Sequence, residues 1–210
     1  GWNLGNSLEA TGSETAWGNP KTTQSLIDLI KASGFDAVRI PCSWSTYLED
    51  ETNYVIKDQW LSRVKEVVDY CVSIGMYAII NIHWDGGWLE NNPVYSKQTE
   101  INKKQKALWN QIAVCFRDYD EHLLFAGTNE VHFDYGTPSS ENLTVQMSFN
   151  QTFVDAVRET GGKNAWRNLI VQSYNTNIDL ADKHLVMPTA LVDNRLMAEV
   201  HYSDPYDFTL

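Results

Sequence analysis

The segment LLFAGTNEVH, residues 123–132, is an apolar run that ends abruptly in an amide and a carboxylate, Asn129 and Glu130. A carboxylic acid held among apolar and aromatic neighbours is desolvated, which disfavours its ionised form and suits it to protonate a departing oxygen near neutral pH. That proton is the first requirement of glycoside cleavage. Asn129 offers both a donor and an acceptor to a sugar hydroxyl. Taken alone, the pair reads more readily as the cap of a loop, because such dipeptides are common in turns.

Coincidence of position argues for a site. Arg39, His83, Glu130 and His201 each lie at or just beyond the end of a different short apolar run. Burying an arginine, two histidines and a glutamate is costly unless they share one polar site. Singly, His83 or His201 reads as well as a satisfied core histidine, and Arg39 as a structural ion-pair partner. Asn6, Trp44, Trp84, Trp88, Tyr174 and Tyr202 are candidates for substrate contact. Aromatic faces stack on the C–H faces of sugar rings, although each Trp reads as readily as loop or core packing. Glu199, two residues before His201 and therefore on the same side of its strand, is a rival second carboxylate. At a rise of about 3.3 Å per residue it should lie roughly 6–7 Å deeper, where pairing with a donor such as Arg39 is the expected role.

These residues need a scaffold that brings strand ends together. Runs rich in Val, Ile and Leu at 1–4, 36–40, 77–82, 123–127, 169–172 and 197–200 predict strands, too apolar for a sheet with one wet face. Amphipathic stretches at 23–33, 58–74, 98–119 and 145–160 predict helices; in the second, Leu61, Val64, Val67, Val68 and Cys71 recur at three and four positions. Gly34, Gly75 and Gly161 follow three of them as left-handed C-caps. Such alternation implies a parallel α/β sheet, either open and doubly wound or closed into a barrel. The first strand leads into GWNLGNSLEATGSETAWGNP, which has no helix opening directly on its glycines, so a phosphate-binding open sheet is disfavoured and a (β/α)8 TIM barrel favoured. In a barrel the C-terminal strand ends gather at one mouth. Those positions hold Asn3 and Asn6; Arg39 and Trp44; His83, Trp84 and Asp85; Asn129 and Glu130; Tyr174 and Asn175; and His201, Tyr202 and Asp204. The chain reads as about the first six strand-helix units, with strands seven and eight expected from a companion segment or a longer chain. An opening residue other than Met fits the interior of a reading frame.

With 210 residues, 43% apolar and 20% charged, the chain reads as one domain, 1–210, with no linker or repeat. A formal net charge of −11, with 16 scattered Lys and Arg, disfavours nucleic acid and anionic membrane surfaces as partners. No apolar run reaches membrane-spanning length. Cys42, Cys71 and Cys115, each in an apolar stretch, read as buried free thiols. No His/Cys/Asp spacing makes a metal-ligand set, and the chemistry needs no cofactor. Sequons at Asn142 and Asn150 matter only in a eukaryotic host.

Six motifs in order, GWNLGNSLEA, TAWGNPKTT, GFDAVRIPCSW, AIINIHWDGGWL, LLFAGTNEV and AEVHYSDPYDF, resemble glycoside hydrolase family 5, and within it the subfamily-four endo-β-1,4-glucanases of bacteria. The resemblance covers essentially the whole chain. It implies a (β/α)8 barrel, a retaining double displacement, and a secreted or cell-surface location. It assigns Asn129 to the substrate 2-hydroxyl, Glu130 to general acid/base catalysis and Arg39 to orienting the nucleophile, with His83 and His201 as the family's strand-three and strand-six histidines. The family nucleophile, a glutamate on strand seven, and a sugar-stacking tryptophan on strand eight have no counterpart here. The implied substrate is a β-glucan polymer or oligosaccharide, including xyloglucan and mixed-linkage glucan, and extending to xylan. A non-catalytic glycan-binding fragment that needs a second peptide for activity is the alternative. Two positions depart from the pattern. Val131 replaces a common proline, and Ser203 stands where the family has a tyrosine whose hydroxyl donates to the nucleophile, so Ser203 would reach only through water.

Overall fold

The computed structural model describes residues 1–203, so Asp204 lies outside the described residues. Six strands form one parallel sheet: β1 (Trp2–Asn3), β2 (Ala37–Ile40), β5 (Tyr77–Asn81), β6 (Leu123–Ala126), β7 (Leu169–Gln172) and β8 (Leu196–Glu199). A short antiparallel hairpin, β3 (Leu48–Asp50) with β4 (Val55–Ile56), stands apart from it. Spatial order in the sheet follows chain order without reversal, as in a barrel wall and unlike a doubly wound sheet, where the order switches direction. Among the described residues, helices follow the first five strands of this sheet: α1 (Gln24–Ala32), α2 (Asp58–Val72), α3 (Tyr95–Cys115), α4 (Ser140–Arg158) and α5 (Ile178–His184).

Side-chain alternation sorts the strands into two environments. Val38, Ile40, Ala78, Ile80, Leu123, Phe125, Leu169 and Val171 point outward and pack with Val64, Val67, Val68, Trp109, Ile112 and Phe153 of the helices. Leu124, Ala126 and Ile170, with Ile79, make a smaller inner cluster. Above it, toward the C-terminal strand ends, the inward positions turn polar: Arg39, Asn81, Thr128, Gln172 and Glu199. The predicted cover on both faces holds for β6 and β7, buried at every position, and is partial at β2 and β5, where Tyr77 is exposed. It fails at β1 and β8, the sheet edges, where Trp2, Met197 and Val200 are exposed.

Caps explain where the helix boundaries differ from the predicted ones. Thr23 accepts from the Leu26 N–H to start α1. Ser139 and Asn142 form a reciprocal capping box, so α4 opens five residues before its apolar stripe begins at Val145. Gly34, Gly75 and Gly161 all have positive φ, as C-capping requires. The hairpin and α5 were not predicted: the hairpin strands are two and three residues long, and α5 buries none of its residues, so neither carries a readable stripe. Both sequon asparagines are committed to structure, Asn142 to the cap and Asn150, fully buried, to the Gln172 carbonyl. Cys42 and Cys71 are buried free thiols as expected, whereas Cys115, at the end of α3, is only half-buried.

Candidate active site

Arg39 occupies an inward position on β2, in register with Ile79 of β5. Its Nη1 donates to Asn3 Oδ1 (3.0 Å) and its Nη2 to Asn129 Oδ1 (2.8 Å), so one guanidinium links the first, second and fourth strands of the sheet. Its Nε lies 3.5 Å from Glu199 Oε1, an ion pair without a hydrogen bond, which is the role expected for Glu199.

His83 stands two residues beyond β5, its backbone N–H bonded to the Cys42 carbonyl (2.9 Å). Asn81 Oδ1 accepts from the Cys42 N–H (3.1 Å), which fixes the Asn81 amide and turns its Nδ2 toward His83 Nδ1 (3.3 Å). Nδ1 is therefore the acceptor and the neutral ring carries its proton on Nε2. Burial, reinforced by the positive charge of Arg39, pushes its pKa down to about 4.

His201 is the opposite case. Its Nδ1 meets Glu130 Oε1 (2.5 Å) and its Nε2 meets Glu199 Oε1 (2.8 Å). An imidazole that donates from both nitrogens is an imidazolium. Burial opposes that charge, but hydrogen bonds to the two carboxylates outweigh it and push the pKa up to about 9. The same contact corrects an expectation for Glu130. Rather than rising through desolvation, its pKa is lowered, first by the hydrogen bond from His201, against burial, and further by the charges of His201, His83 and Arg39. For Glu199 burial is again the largest influence and raises the pKa, yet donation from His201, the Arg39 charge and donation from Gln172 Nε2 (2.8 Å) hold it below the usual range. The His201 ring stands between the two carboxylates, so Glu199 is not positioned as a partner acting across a bond from Glu130.

Arg39, His83, Asn129, Glu130 and His201 thus come together. With Asn3, Glu199, Val200, Tyr202 and Ser203 they line one open hollow of about 540 Å³ at the C-terminal ends of the strands. Its size suits a sugar-sized ligand. Tyr202, 74% exposed, stands on its wall. Trp84 is 39% exposed beside His83 but is not part of the lining.

Three substrate-contact candidates are displaced by the structure. Trp44 is fully buried, its Nε1 donating to the Asn81 carbonyl (2.8 Å), because the chain turns inward after β2 and the indole fills core. Tyr174 is buried, with its hydroxyl accepting from the Phe133 N–H (2.7 Å). Asn6 lies in the loop after β1 at positive φ, with its N–H on Glu9, and it is Asn3 that reaches the hollow. Trp88 is also unsuited to stacking on sugar, since its Nε1 donates to Asp85 and the Lys104 ammonium covers its ring at 4.3 Å. Sequence reasoning missed Glu90 and Gln172. Glu90 accepts from Asn129 Nδ2 and the Glu130 N–H; Gln172 Oε1 accepts from Thr128 N–H and Oγ1. Gln172 was signalled as the polar end of a buried strand, whereas Glu90, in a loop, left no signal.

The sequence profile described as Cellulase (glycosyl hydrolase family 5) matches residues 3–210. The chain belongs to glycosyl hydrolase family 5. A xyloglucan-specific endo-β-1,4-glucanase of Bacteroides ovatus is 49% identical over all of the chain and 44% of that enzyme, and an endoglucanase A of Paenibacillus barcinonensis is 42% identical over 99% of the chain and 57% of that enzyme. Among solved structures, the B. ovatus family 5 xyloglucanase in complex with an XXXG heptasaccharide superposes with a TM-score of 0.96 at 48% identity, over 99% of this chain and 47% of that one. A broad-specificity endoglucanase of Ruminococcus champanellensis with bound cellotriose gives 0.92 at 41% identity, over 98% and 64%. The chain spans about half the length of the curated relatives it matches. Its six strands are therefore an arc of the family 5 (β/α)8 barrel.

Proposed function

We propose that the protein hydrolyses internal β-1,4-glucosidic bonds of β-glucans with retention, Glu130 acting as general acid and then general base. The observation that carries this reading is the placement of Glu130, its carboxyl on the wall of an open hollow and bonded at 2.5 Å to an imidazolium. That hydrogen bond keeps a proton next to the oxygen that must deliver it. Neutral His83 and donor-rich Arg39 supply the hydrogen bonds that fix neighbouring groups. Retention needs a second carboxyl about 5–5.5 Å from the first. Glu199 is engaged by His201, Arg39 and Gln172, so the nucleophile comes from a segment outside these strands, as the family's seventh strand implies.

Xyloglucan and unbranched β-1,4-glucan are the substrates we favour, since related enzymes are described as acting on xyloglucan or carry cellotriose. Polymers of this size meet enzymes outside the cell, which supports a secreted or cell-surface location. The test is hydrolysis of a soluble β-glucan by the complete protein and by Glu130→Ala. Loss of general acid catalysis is expected to slow the variant about 10²–10⁴-fold; equal rates refute the assignment.

A further inference from the structure

Glu90 is a buried carboxylate with no part in the mechanism above. It stands in the loop between β5 and α3, directly behind the residues that meet substrate. Its Oε2 accepts from Asn129 Nδ2 and from the backbone N–H of Glu130, both at 3.1 Å, while its carbonyl accepts from the His132 N–H at 2.9 Å. The loop and the strand end are thus tied at three points.

The contacts on Asn129 have a chemical consequence. An asparagine amide can sit in two orientations that exchange oxygen for nitrogen, and its neighbours decide between them. Arg39 has only donors, so the Asn129 atom 2.8 Å from its Nη2 must be the oxygen. Glu90 Oε2 faces a backbone N–H as well as the amide, so it accepts, and the Asn129 atom facing it must be the nitrogen. Both neighbours select the same orientation. One amide hydrogen goes to Glu90, and the second is available to an oxygen in the hollow that Asn129 lines. The selection does not require Glu90 to be charged, because a carbonyl oxygen in the place of Oε2 would accept the same two hydrogen bonds.

We propose that Glu90 is a positioning residue: it holds Asn129 as a hydrogen-bond donor to the 2-hydroxyl of the sugar whose bond is cleaved, and anchors the backbone that carries Glu130. This rests on the glycosidase reading and goes beyond it, because it assigns the origin of 2-hydroxyl recognition to a residue that never touches the sugar.

The test compares the complete enzyme with Glu90→Leu and Glu90→Gln. Each is assayed on a pair of aryl β-cellotrioside substrates that differ only in having or lacking the 2-hydroxyl at the cleaved sugar. The ratio of kcat/KM for the pair is the readout, and the intrinsic reactivity difference between the two substrates cancels when ratios are compared across variants. A site built to bond a hydroxyl discriminates strongly against its absence. Glu90→Leu leaves Arg39 alone to orient the amide and removes the acceptor of both the Asn129 Nδ2 hydrogen and the Glu130 N–H, and it is expected to reduce the ratio at least about tenfold, with the hydroxylated substrate bearing the loss. Glu90→Gln keeps a carbonyl acceptor and is expected to stay within about threefold of the parent ratio. If Glu90→Leu does not fold, Glu90→Met, which also offers no oxygen acceptor to the two N–H donors, is read in the same way. Equal slowing of both substrates by the apolar variant would reduce Glu90 to a structural residue, and a ratio lost equally in Glu90→Gln would assign the effect to charge; either overturns the proposal. If the parent enzyme cleaves neither substrate, the glycosidase reading fails first and the inference falls with it.

Discussion

The doubly bonded imidazolium of His201 makes a quantitative prediction. In the folded protein its proton is held up to about pH 9, against an ordinary value of 6.5. Between these values the folded chain binds the proton more tightly than the unfolded chain. The resulting stabilisation is fully present below pH 6.5, declines as pH rises through the window and is lost above about 9. The gap corresponds to at most about 3–4 kcal/mol, at about 1.4 kcal/mol per pH unit. The side chain is 26% exposed, so solvent screening reduces this moderately without removing it.

The assay is urea denaturation of the parent and of His201→Gln at pH 6 and pH 9.5. Groups remote from His201 are common to both proteins and cancel in the difference; Glu130 and Glu199, which lose their His201 partner in the variant, do not, so the ring is also titrated directly. The parent should lose up to about 3–4 kcal/mol more than the variant between the two conditions. NMR titration of the His201 ring gives the pKa directly, and Glu199→Gln, which replaces the carboxylate on Nε2 with a neutral amide, should lower it by a unit or more. A parent His201 that titrates near 6.5, or a pH dependence identical in His201→Gln, would refute the bidentate ion pair.

His83 should behave in the opposite sense. Its ring stays neutral down to about pH 4, so its contribution is full above pH 6.5 and declines as pH falls toward 4; an NMR titration midpoint above 6 would contradict this. Arg39→Lys should lower kcat/KM more than tenfold with little change in unfolding midpoint, because an ammonium cannot reproduce the fork that reaches Asn3 and Asn129 together; unchanged activity would remove Arg39 from the site. Glu130→Gln should slow the first step far more on oligosaccharides than on aryl glycosides whose leaving group needs no proton, with equal losses counting against an acid role. Gly127→Ala would place a methyl 2.6 Å from the Phe153 ring, just below Asn129, and should cost about 1–3 kcal/mol of stability by overpacking, which an unchanged urea midpoint would disprove.

The barrel scaffold was legible because buried parallel strands carry strong local signals. LLFA and LIVQ are buried at every position, and their ends could be found without knowing what lay beside them. From those ends the sequence already grouped Arg39, His83, Asn129, Glu130 and His201. It could not reveal which way the chain turns after a strand. Trp44 and Trp84 stand at similar distances past their strands, yet one turns into the core and the other faces solvent, because Trp44 finds the Asn81 carbonyl as a buried acceptor. Glu90 was illegible for a related reason: its role comes from a contact with residues forty positions away. Protonation was the least accessible property. Burial alone raises the pKa of a glutamate, and only the fold brings His201 between Glu130 and Glu199, where it reverses the sign.

That reversal bears on how an acid can work from a carboxylate held ionised. In the described residues, two cations, Arg39 and His201, face two ionised carboxylates, Glu130 and Glu199, and the proton of the Glu130–His201 pair rests on the imidazole. On the proposed mechanism a nucleophilic carboxylate joins this group about 5–5.5 Å from Glu130. A third negative charge raises the proton affinity of every carboxylate near it, and of Glu130 most because it faces the same hollow. With His201 already protonated and in contact, Glu130 then gains its proton without waiting on diffusion through the occupied cleft. The proton passes from His201 through Glu130 to the departing oxygen and leaves His201 neutral; once the nucleophile is neutralised as a glycosyl ester, Glu130 stays ionised, takes a proton from the incoming water and returns it to His201, which restores the starting pair. His201 thus supplies the proton of the first step and recovers it at the second, so Glu130 acts as acid and then as base without holding a proton at rest.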